Sequence, residues 1–249
     1  MKMAERVALV TGASSGIGRS VALSLSQHDY RVFAAGRDAE RTGALRDETA
    51  GIDAWTGDIT SAETCAELMS ACIERFGRLD LLVNNAGIYE RGTAEQTSDE
   101  LWSQTLLVNL SAAFYLSRAA LPHLRRTRGA IVNVASDWGL VGGREAVAYC
   151  ASKGGMVLMT KAMALDHAAE GIRVNALCPG DVETPMMYRA GAERGLDETL
   201  AKAECDAGSP TGRVTTAAEV AALVVYLASD VARQITGAAI PIDGGNTAG

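Results

Sequence analysis

The sequence predicts a single α/β domain in which a parallel sheet is covered by helices on both faces. Short apolar runs rich in β-branched residues alternate with longer helical segments along all 249 residues, as in repeated βαβ units. Several runs, such as LLV and IVNV, are apolar almost without interruption, which is typical of strands buried on both faces. No Pro/Ser-rich linker, charge block or internal repeat divides the chain, so we expect one domain over 1–249.

Seven apolar runs are predicted to form the strands of the sheet. In chain order they are RVALVTG (6–12), RVFAA (31–35), DAWTG (53–57), LDLLVNN (79–85), GAIVNVAS (129–136), IRVNALCPG (172–180) and GAAIPIDGG (237–245). Helical patterns lie between them near 17–28, 39–49, 61–76, 98–124, 149–169 and 216–229. The segment 183–213 is the exception, because it is long and charged and has Met186, Met187 and Tyr188 near its start. Long segments of this kind are often lids or binding loops, and a solvated pair of surface helices is the alternative.

Composition and charge argue against several classes of function. The chain is 48% hydrophobic and 21% charged, as in an ordinary soluble protein, and its net charge of −7 disfavours a nucleic-acid-binding face. The N-terminus enters an apolar run without a signal-peptide pattern, and no apolar stretch reaches the length of a membrane span. We therefore expect a cytoplasmic protein with no membrane or nucleic-acid partner. The five cysteines form no Cys-x-x-Cys pair, which predicts free thiols and no metal site.

The first predicted strand runs into TGASSGIG, which places Gly12, Gly16 and Gly18 before a helical segment. Glycines let a backbone turn tightly and approach a pyrophosphate, and the helix N-terminus offers free N–H groups and a positive dipole end. The spacing differs from the strict G-x-G-x-x-G dinucleotide pattern. The residues alone therefore leave a cofactor loop and a plain turn open, and their place in the first βα unit favours the cofactor loop.

The residues after the second predicted strand bear on which cofactor would bind. A carboxylate at this point binds the ribose 2′-hydroxyl of NAD, whereas an arginine pairs with the 2′-phosphate of NADP. The chain has Arg37 after Gly36, and Asp38 comes one place later. NADP(H) is therefore favoured, NAD(H) stays open, and an ordinary surface arginine is the alternative interpretation.

The stretch AYCASKGG places Tyr149 and Lys153 four residues apart. On a helix these positions lie on one face, one above the other. The spacing alone is equally consistent with chance, because aromatic and lysine side chains often occur four residues apart.

In register with other motifs, these residues resemble the short-chain dehydrogenase/reductase (SDR) family over essentially the whole chain. The matching motifs are Thr11-Gly12-x-x-x-Gly16-x-Gly18, Asp58, Asn84-Asn85-Ala86-Gly87, Asn109, Ser136, Tyr149-x-x-x-Lys153, Pro179-Gly180 and Thr184. They fall where predicted strands end, which is where ligand sites lie in open parallel sheets.

The resemblance implies a Rossmann-type doubly wound fold with strand order 3-2-1-4-5-6-7. It also implies an NAD(P)-dependent oxidoreductase that interconverts a secondary alcohol and a ketone, assembled as a homotetramer or homodimer. Residues 1–95 would form the mainly dinucleotide-binding half, and 96–249 the catalytic half with the substrate segment 183–213.

Four residues receive catalytic roles from the resemblance. Tyr149 would be the general acid and base, and the Lys153 ammonium would lower the pKa of this phenol from its usual value of about 10. Lys153 would also hydrogen-bond the nicotinamide ribose. Ser136 would donate a hydrogen bond to the substrate oxygen as charge develops there. Asn109 would help to hold a water that links Lys153 to solvent.

The same resemblance implies a set of cofactor contacts along the cleft. The phosphates would be held by the glycine loop, the adenosine by the ends of the second to fourth strands, and the nicotinamide by Tyr149, Lys153 and the end of the sixth strand. Besides those two residues, the implied contacts are Gly12, Ser14, Ser15, Gly16, Ile17, Gly18, Arg37, Asp58, Ile59, Asn85, Ala86, Gly87, Pro179, Gly180, Val182 and Thr184.

The substrate end of the site is predicted less specifically. Candidate lining residues are Trp138, Arg144, Met186, Tyr188 and Arg189. Arg144 or Arg189 would pair with a carboxylate, phosphate or sulfonate of the substrate, or each is an ordinary surface charge.

Two other functions remain open from the sequence. One is 3-oxoacyl-[acyl-carrier-protein] reductase, for which Arg125, Arg126 and Arg128 would offer a docking patch. Those reductases tend to carry a basic residue before the glycine that precedes the sixth strand, whereas this chain has Glu170. The other is a non-catalytic NADP-sensing regulatory protein, which the complete set of catalytic residues disfavours.

Overall fold

A computed structural model describes residues 5–249 and contains the parallel sheet that the sequence predicts. Among these residues the strands are β1 (Arg6–Thr11), β2 (Tyr30–Gly36), β3 (Ile52–Thr56), β4 (Leu81–Asn84), β5 (Ala130–Val134), β6 (Arg173–Pro179), β7 (Val182–Glu183), β8 (Thr215–Thr216) and β9 (Ala239–Ile242). The main sheet has the order β3-β2-β1-β4-β5-β6-β9, and its strands are parallel. This confirms the predicted fold and strand order, with β9 as the seventh strand. The short strands β7 and β8 pair with each other.

The helices lie on both faces of this sheet. They are α1 (Gly16–Ser26), α2 (Ala39–Glu48), α3 (Ala62–Phe76), α4 (Asp99–Leu106), α5 (Ala112–Thr127), α6 (Val147–His167), α7 (Pro185–Ala192), α8 (Glu198–Gly208) and α9 (Ala217–Ala228). The predicted helix over 98–124 is in fact two helices, because a π-helical turn at Leu107–Ser111 separates α4 from α5. The segment 183–213 contains α7 and α8, which pack against each other.

Alternate side chains of the strands enter two separate cores. On β1, Val10 packs with Val21 of α1 and Val224 of α9, whereas Leu9 packs with Leu68 of α3 and Leu116 of α5. Successive strand residues point to opposite faces, so a strand covered on both sides must be apolar throughout. This is the physical origin of the uninterrupted apolar runs.

Side-chain caps mark where several of the helices begin. Asp38 accepts a hydrogen bond from the Arg41 N–H at 3.0 Å, and Ser61 accepts one from the Thr64 N–H at 3.0 Å. At α9, Thr216 and Glu219 form a capping box, in which each side chain bonds the backbone N–H of the other residue. These caps satisfy N–H groups that a helix N-terminus otherwise leaves unpaired.

Three global features bear on the class of protein. No helix among residues 5–249 is long and apolar enough to cross a membrane. The same residues contain no group of three or more His, Cys, Asp or Glu side chains placed to hold a metal ion. The five cysteines are free thiols, and three of them, Cys65, Cys72 and Cys178, are buried.

Candidate active site

A cleft of about 880 Å³ runs along the carboxyl ends of the parallel strands. Most of the predicted site residues line it: Gly12, Ser14, Ser15, Gly16, Ile17, Arg37, Asp58, Ile59, Asn85, Ala86, Gly87, Ser136, Trp138, Arg144, Tyr149, Lys153, Pro179, Gly180, Val182, Thr184, Met186 and Arg189. Gly18, Asn109 and Tyr188 do not line it. Motifs that are far apart in the sequence therefore meet at one edge of the sheet, as expected for an open α/β fold.

The glycine loop between β1 and α1 is shaped by close backbone contacts. Gly12 and Gly16 have φ values of +64° and +53°, a region that side-chain-bearing residues rarely adopt. A Cβ atom on Gly18 would lie only 2.3 Å from the Gly12 carbonyl oxygen. Gly18 therefore does not line the cleft, but its lack of a side chain lets α1 lie close to the glycine loop.

The N-terminus of α1 is suited to an anion. Ser15 is the N-cap residue, but its side chain makes no capping hydrogen bond, and the first turn of α1 carries no acidic residue. The first N–H groups of α1 thus have no side-chain partner and lie at the positive end of the helix dipole. A pyrophosphate would satisfy them, so the residues present fit a dinucleotide.

The loops after β1 and β4 are tied together by Thr11 and Asn85. The Thr11 hydroxyl oxygen accepts hydrogen bonds from the N–H groups of Asn85 at 3.0 Å and Ala86 at 3.1 Å. The Asn85 side-chain amide donates to the carbonyl oxygens of Thr11 at 2.9 Å and Gly12 at 3.3 Å. These four bonds give the cleft a fixed floor between its two ends.

At the other end of this floor, Arg37 and Asp38 follow β2. Arg37 is exposed and lines the cleft. The Asp38 carboxylate is engaged as the N-cap of α2 and also pairs with Arg41, whose Nε lies 3.2 Å from Asp38 Oδ2. The Arg37 guanidinium group thus faces the cleft, whereas the Asp38 carboxylate is already bonded to α2 and Arg41.

Tyr149 lies in an aromatic corner at the opposite end of the cleft. Its ring centroid is 5.2 Å from that of Tyr89 and 6.1 Å from that of Trp138, both in edge-to-face geometry. Such pairs are favourable beyond simple burial and hold the phenol in one orientation. Trp138 was predicted from the sequence, whereas Tyr89, which lies two residues after Gly87, was missed.

Lys153 lies one turn further along α6 and is 4% exposed. Its ammonium Nζ donates a hydrogen bond to the Val134 carbonyl oxygen at 2.8 Å and lies 5.6 Å from the Tyr149 ring centroid. Burial lowers the pKa of Lys153 from 10.5 to about 8, because a desolvated ammonium group is disfavoured.

The pKa of Tyr149 departs from the sequence-based expectation. Burial raises it above its ordinary value, a hydrogen bond from Ser136 opposes this, and the charge of Asp137 raises it further. Burial therefore outweighs any neighbouring charge in setting the pKa of this phenol, and its lowering by Lys153 stays a prediction. The i, i+4 spacing puts both residues on one face, but the ammonium group is bonded to the backbone of β5 instead of the phenol.

Asn109 is fully buried beneath this end of the cleft, within the π-helical turn. Its side-chain amide accepts from the Ile88 N–H at 2.8 Å and donates to the Ile88 carbonyl at 3.0 Å and to Ser152 Oγ at 3.0 Å. A Cβ atom on Gly87 would lie 3.3 Å from Asn109 Oδ1 and 3.5 Å from Lys153 Nζ. Asn109 therefore fixes the backbone next to Lys153, and π-turns of this kind are frequent at functional sites.

Ser136 follows β5 and is the N-cap of a short 3-10 turn at Asp137–Gly139. Its hydroxyl oxygen accepts from the Trp138 N–H at 3.2 Å, and the hydroxyl donates to Asp137 Oδ1 at 2.9 Å. Ser136 and Asp137 are 6% and 5% exposed, respectively. The serine hydrogen is therefore bonded to a buried carboxylate.

The mouth of the cleft carries charges of both signs. Arg144 and Arg189 line it, as predicted. Tyr188 does not, since its hydroxyl donates to Glu183 Oε1 at 2.9 Å. On α7 the cleft-facing positions include Met186, Arg189 and Ala190, and the helical period places Tyr188 on another face.

The sequence interpretation missed several cleft residues. They include Arg91, Asp181, Arg194, Glu204 and Asn246. Asp181 could have been found from its position directly after Pro179-Gly180, whereas the others carry no local motif.

A family model described as enoyl-(acyl carrier protein) reductase matches residues 12–247. The chain belongs to the short-chain dehydrogenase/reductase family. Its SDR relatives include trans-4-hydroxycyclohexanecarboxylate dehydrogenase of Sinomonas cyclohexanicum, 37% identical over 100% of this chain and 95% of the relative. L-fucose dehydrogenase of Bos taurus is 38% identical over 98% of this chain and 90% of the relative. A crystal structure of an actinorhodin polyketide ketoreductase variant with NADPH superimposes with a TM-score of 0.92, at 38% identity and 97% coverage of each chain.

These similarities confirm the family and the reaction class predicted from the sequence. The chain is an SDR enzyme, an NAD(P)-dependent oxidoreductase that interconverts an alcohol and a ketone on a small-molecule substrate. The bound nicotinamide supplies or takes up the hydride in this chemistry.

Proposed function

We propose that this SDR enzyme prefers NADP(H) and uses Tyr149 as the general acid and base toward a secondary alcohol or ketone. The observation that supports this most directly is that Tyr149, Ser136 and Lys153 line the same cleft as the glycine loop. Reduction of a ketone needs a proton at the carbonyl oxygen. The raised pKa of Tyr149 keeps that proton on the phenol until it is needed.

Lys153 and Asn109 support this proton transfer. Lys153 would hydrogen-bond the cofactor ribose, and its lowered pKa, about 8, allows it to exchange protons near neutral pH. Asn109 holds the Ile88 backbone beside Lys153, and a water placed there would link the lysine to solvent. The Ser136 hydroxyl, which donates to Asp137 in the structure, would turn its hydrogen to the substrate oxygen as charge develops there.

The preference for NADP(H) rests on the two residues after β2. Arg37 faces the cleft without a carboxylate partner among residues 5–249, whereas Asp38 caps α2 and pairs with Arg41. A 2′-phosphate would therefore meet an available guanidinium group, and a 2′-hydroxyl would meet a carboxylate that is already engaged. The remaining predicted contacts, from Asp58 to Thr184, are proposed to hold the adenosine and nicotinamide ends.

Two substrate classes fit the mouth of the cleft. Arg144 and Arg189 would favour a small anionic substrate, although Arg189 also lies 3.9 Å from Glu193. The second candidate is a 3-oxoacyl chain on a carrier protein, as in the 3-oxoacyl-[acyl-carrier-protein] reductase of Thermotoga maritima, which is 35% identical over 98% of this chain and 99% of the relative. Against carrier docking, Arg125 is paired with Glu170 at 3.0 Å. This pair weakens the basic patch and favours the small-molecule substrate.

We further propose that the protein is a cytoplasmic homotetramer or homodimer, with 1–95 mainly binding the dinucleotide and 96–249 carrying catalysis. Leu158 and Leu165 of α6 are 67% and 84% exposed, and burial of such side chains favours association. Sedimentation equilibrium would measure the assembly. A monomer at micromolar concentration would contradict this part of the proposal.

The test of the proposed function is a set of initial rates of NADPH and NADH oxidation against a panel of ketones. The panel contains diketones, 3-oxo esters, 3-oxoacyl thioesters, sugars and keto acids. We expect turnover with a preference for NADPH that falls about tenfold or more in Arg37→Ala, the effect of losing one charged hydrogen-bonded contact. Arg46→Ala on the following helix α2 is the matched control, because Arg46 pairs with Asp47 and does not line the cleft.

Three results would contradict parts of this proposal. A preference for NADH would overturn the role of Arg37. Equal losses in Arg37→Ala and Arg46→Ala would show a general charge effect. Tight cofactor binding without turnover across the panel would favour the NADP-sensing function.

A further inference from the structure

Asp137 is a buried carboxylate beside the reacting groups that the proposed chemistry does not use. It is 5% exposed and lies directly after Ser136 in the chain. A carboxylate placed next to the position where an oxyanion develops opposes that charge.

Three donors hold the Asp137 carboxylate in place. Oδ1 accepts from the Ser136 hydroxyl at 2.9 Å and from the Trp138 N–H at 2.8 Å, and Oδ2 accepts from the Asn246 side-chain amide at 2.8 Å. Asn246 belongs to a turn near the C-terminus in which Asp243 accepts from the Gly245 and Thr247 N–H groups at 3.0 and 2.9 Å. The C-terminal turn therefore fixes the carboxylate against the catalytic serine.

This arrangement decides what Ser136 can offer to the cleft. A serine hydroxyl has one hydrogen and an ionised carboxylate only accepts, so the hydrogen of Ser136 is held by Asp137. Hydrogen bonds to an ionised group are roughly twice as strong as neutral ones. While Asp137 takes this hydrogen, Ser136 cannot donate it fully to Tyr149, where a hydrogen bond from Ser136 lowers the pKa of the phenol.

We propose that Asp137 is a positioning residue, fixed by Asn246, which holds the hydrogen of Ser136 and whose negative charge keeps the proton on Tyr149. The inference rests on the proposed function, in which Tyr149 is the proton donor. The enzyme then rests in the form that is ready to reduce a ketone. Neutralising Asp137 makes the phenolate form of Tyr149 easier to reach, which favours the oxidation of an alcohol at lower pH.

Charged and titratable groups from every neighbouring element contribute to this balance. Tyr149 is faced by Lys153 and Cys150 of its own helix, by Tyr89 after β4 and by Asp137 after β5. Asp137 in turn interacts with Asp243 after β9, and with Asp181 and Cys178 at the end of β6. Lys153 is the cation among them. Asp137 is distinguished from the other carboxylates by its direct bond to Ser136.

The test measures the ionisation of Tyr149 by NMR in protein that carries tyrosine labelled with ¹³C at Cζ, in complex with NADP⁺. Tyr149→Phe assigns the signal, and the NADP⁺ complex forms whether or not a substrate is known. We expect the titration midpoint in Asp137→Asn to fall by about one pH unit, the order expected for removing a neighbouring charge. On the rising limb of an oxidation pH profile, one unit corresponds to about tenfold in rate.

Two further variants separate charge from packing. Asp47→Asn, an exposed carboxylate of α2, should leave the midpoint unchanged. Asn246→Ala removes one donor to Asp137 but keeps its charge, so its midpoint should stay near that of the wild type. The proposal is overturned if Asp137→Asn has the wild-type midpoint, or if Asn246→Ala shifts it as far as Asp137→Asn does. Failure of NADP⁺ to bind would instead refute the proposed function.

Discussion

Replacement of Gly18 by alanine tests the proposed geometry of the phosphate end of the cleft. The new Cβ would lie 2.3 Å from the Gly12 carbonyl oxygen and 2.4 Å from Asn85 Nδ2, where ordinary contacts are 3.4–4 Å. The first atom is backbone, so α1 must move away from the loop by about 1 Å. Overpacking of this kind costs about 1–3 kcal/mol, partly offset by about 0.5–1 kcal/mol from the better helix propensity of alanine. The shift also displaces the N–H groups of α1, so we expect NADPH binding to weaken about tenfold or more.

The assay combines urea unfolding with a fluorescence titration of NADPH. Gly43→Ala is the matched control, because Gly43 lies inside α2 and a Cβ there meets nothing within 4 Å. The control should raise the free energy of unfolding by about 0.5–1 kcal/mol and leave NADPH binding unchanged. If Gly18→Ala is as stable as Gly43→Ala and binds NADPH with wild-type affinity, then the close approach of α1 to the loop is not what shapes the site.

Three further predictions concern stability. The pKa of Lys153 falls from 10.5 to about 8 on burial, so between these pH values the unfolded chain binds one proton more than the native protein and stability rises with pH. The free energy of unfolding should therefore rise by about 3 kcal/mol up to pH 10.5 in the wild type, and this rise should be absent in Lys153→Met. Stability curves that run parallel with pH for the two proteins would contradict the prediction. The Asn133 side chain is hydrogen-bonded to the Asn84 amide and to the Thr160 hydroxyl at 2.8 Å each. Asn133→Ala removes both of these buried bonds and should lower the free energy of unfolding in urea by about 2–4 kcal/mol. A loss below about 1 kcal/mol would show that water replaces the amide. Thr216→Ala removes the cap of α9 and should lower the free energy of unfolding by about 1 kcal/mol, whereas an unchanged midpoint would show that Glu219 caps the helix alone.

The main sheet could be predicted from the sequence because strands that are buried on both faces require continuous apolar runs. Each of the seven predicted runs overlaps a strand of the sheet. The break between α4 and α5 could not be predicted, since a π-helical turn keeps the apolar spacing of a helix nearly intact. The helices α7 and α8 are short, with 8 and 11 residues, and each contains glycine, so their pattern resembles that of a loop.

The site was predictable where it follows strand ends and unpredictable where tertiary contacts build it. Gly12, Asn85, Ser136 and Gly180 follow β1, β4, β5 and β6 closely, so the fold itself brings them together. Asn246 reaches the site through a bond to Asp137 across 109 positions of sequence, which no local pattern reveals.

The spacing of Tyr149 and Lys153 predicts that they share one face of a helix, but it does not predict which group the Lys153 ammonium bonds. That group is the Val134 carbonyl of β5, a contact that depends on how α6 packs against the sheet. The pKa of Tyr149 is raised chiefly by burial of the phenol, which also depends on tertiary packing and not on local spacing.

The central claim is that Tyr149 transfers the proton in an NADP(H)-dependent carbonyl reduction. The most direct measurement is the rate of NADPH oxidation with the best ketone of the panel, compared between the wild type and Tyr149→Phe, with NADPH affinity measured for both. We predict a rate loss of about 10²–10⁴-fold, the usual contribution of a positioned acid, with NADPH affinity nearly unchanged. Near-normal turnover in Tyr149→Phe would contradict the account.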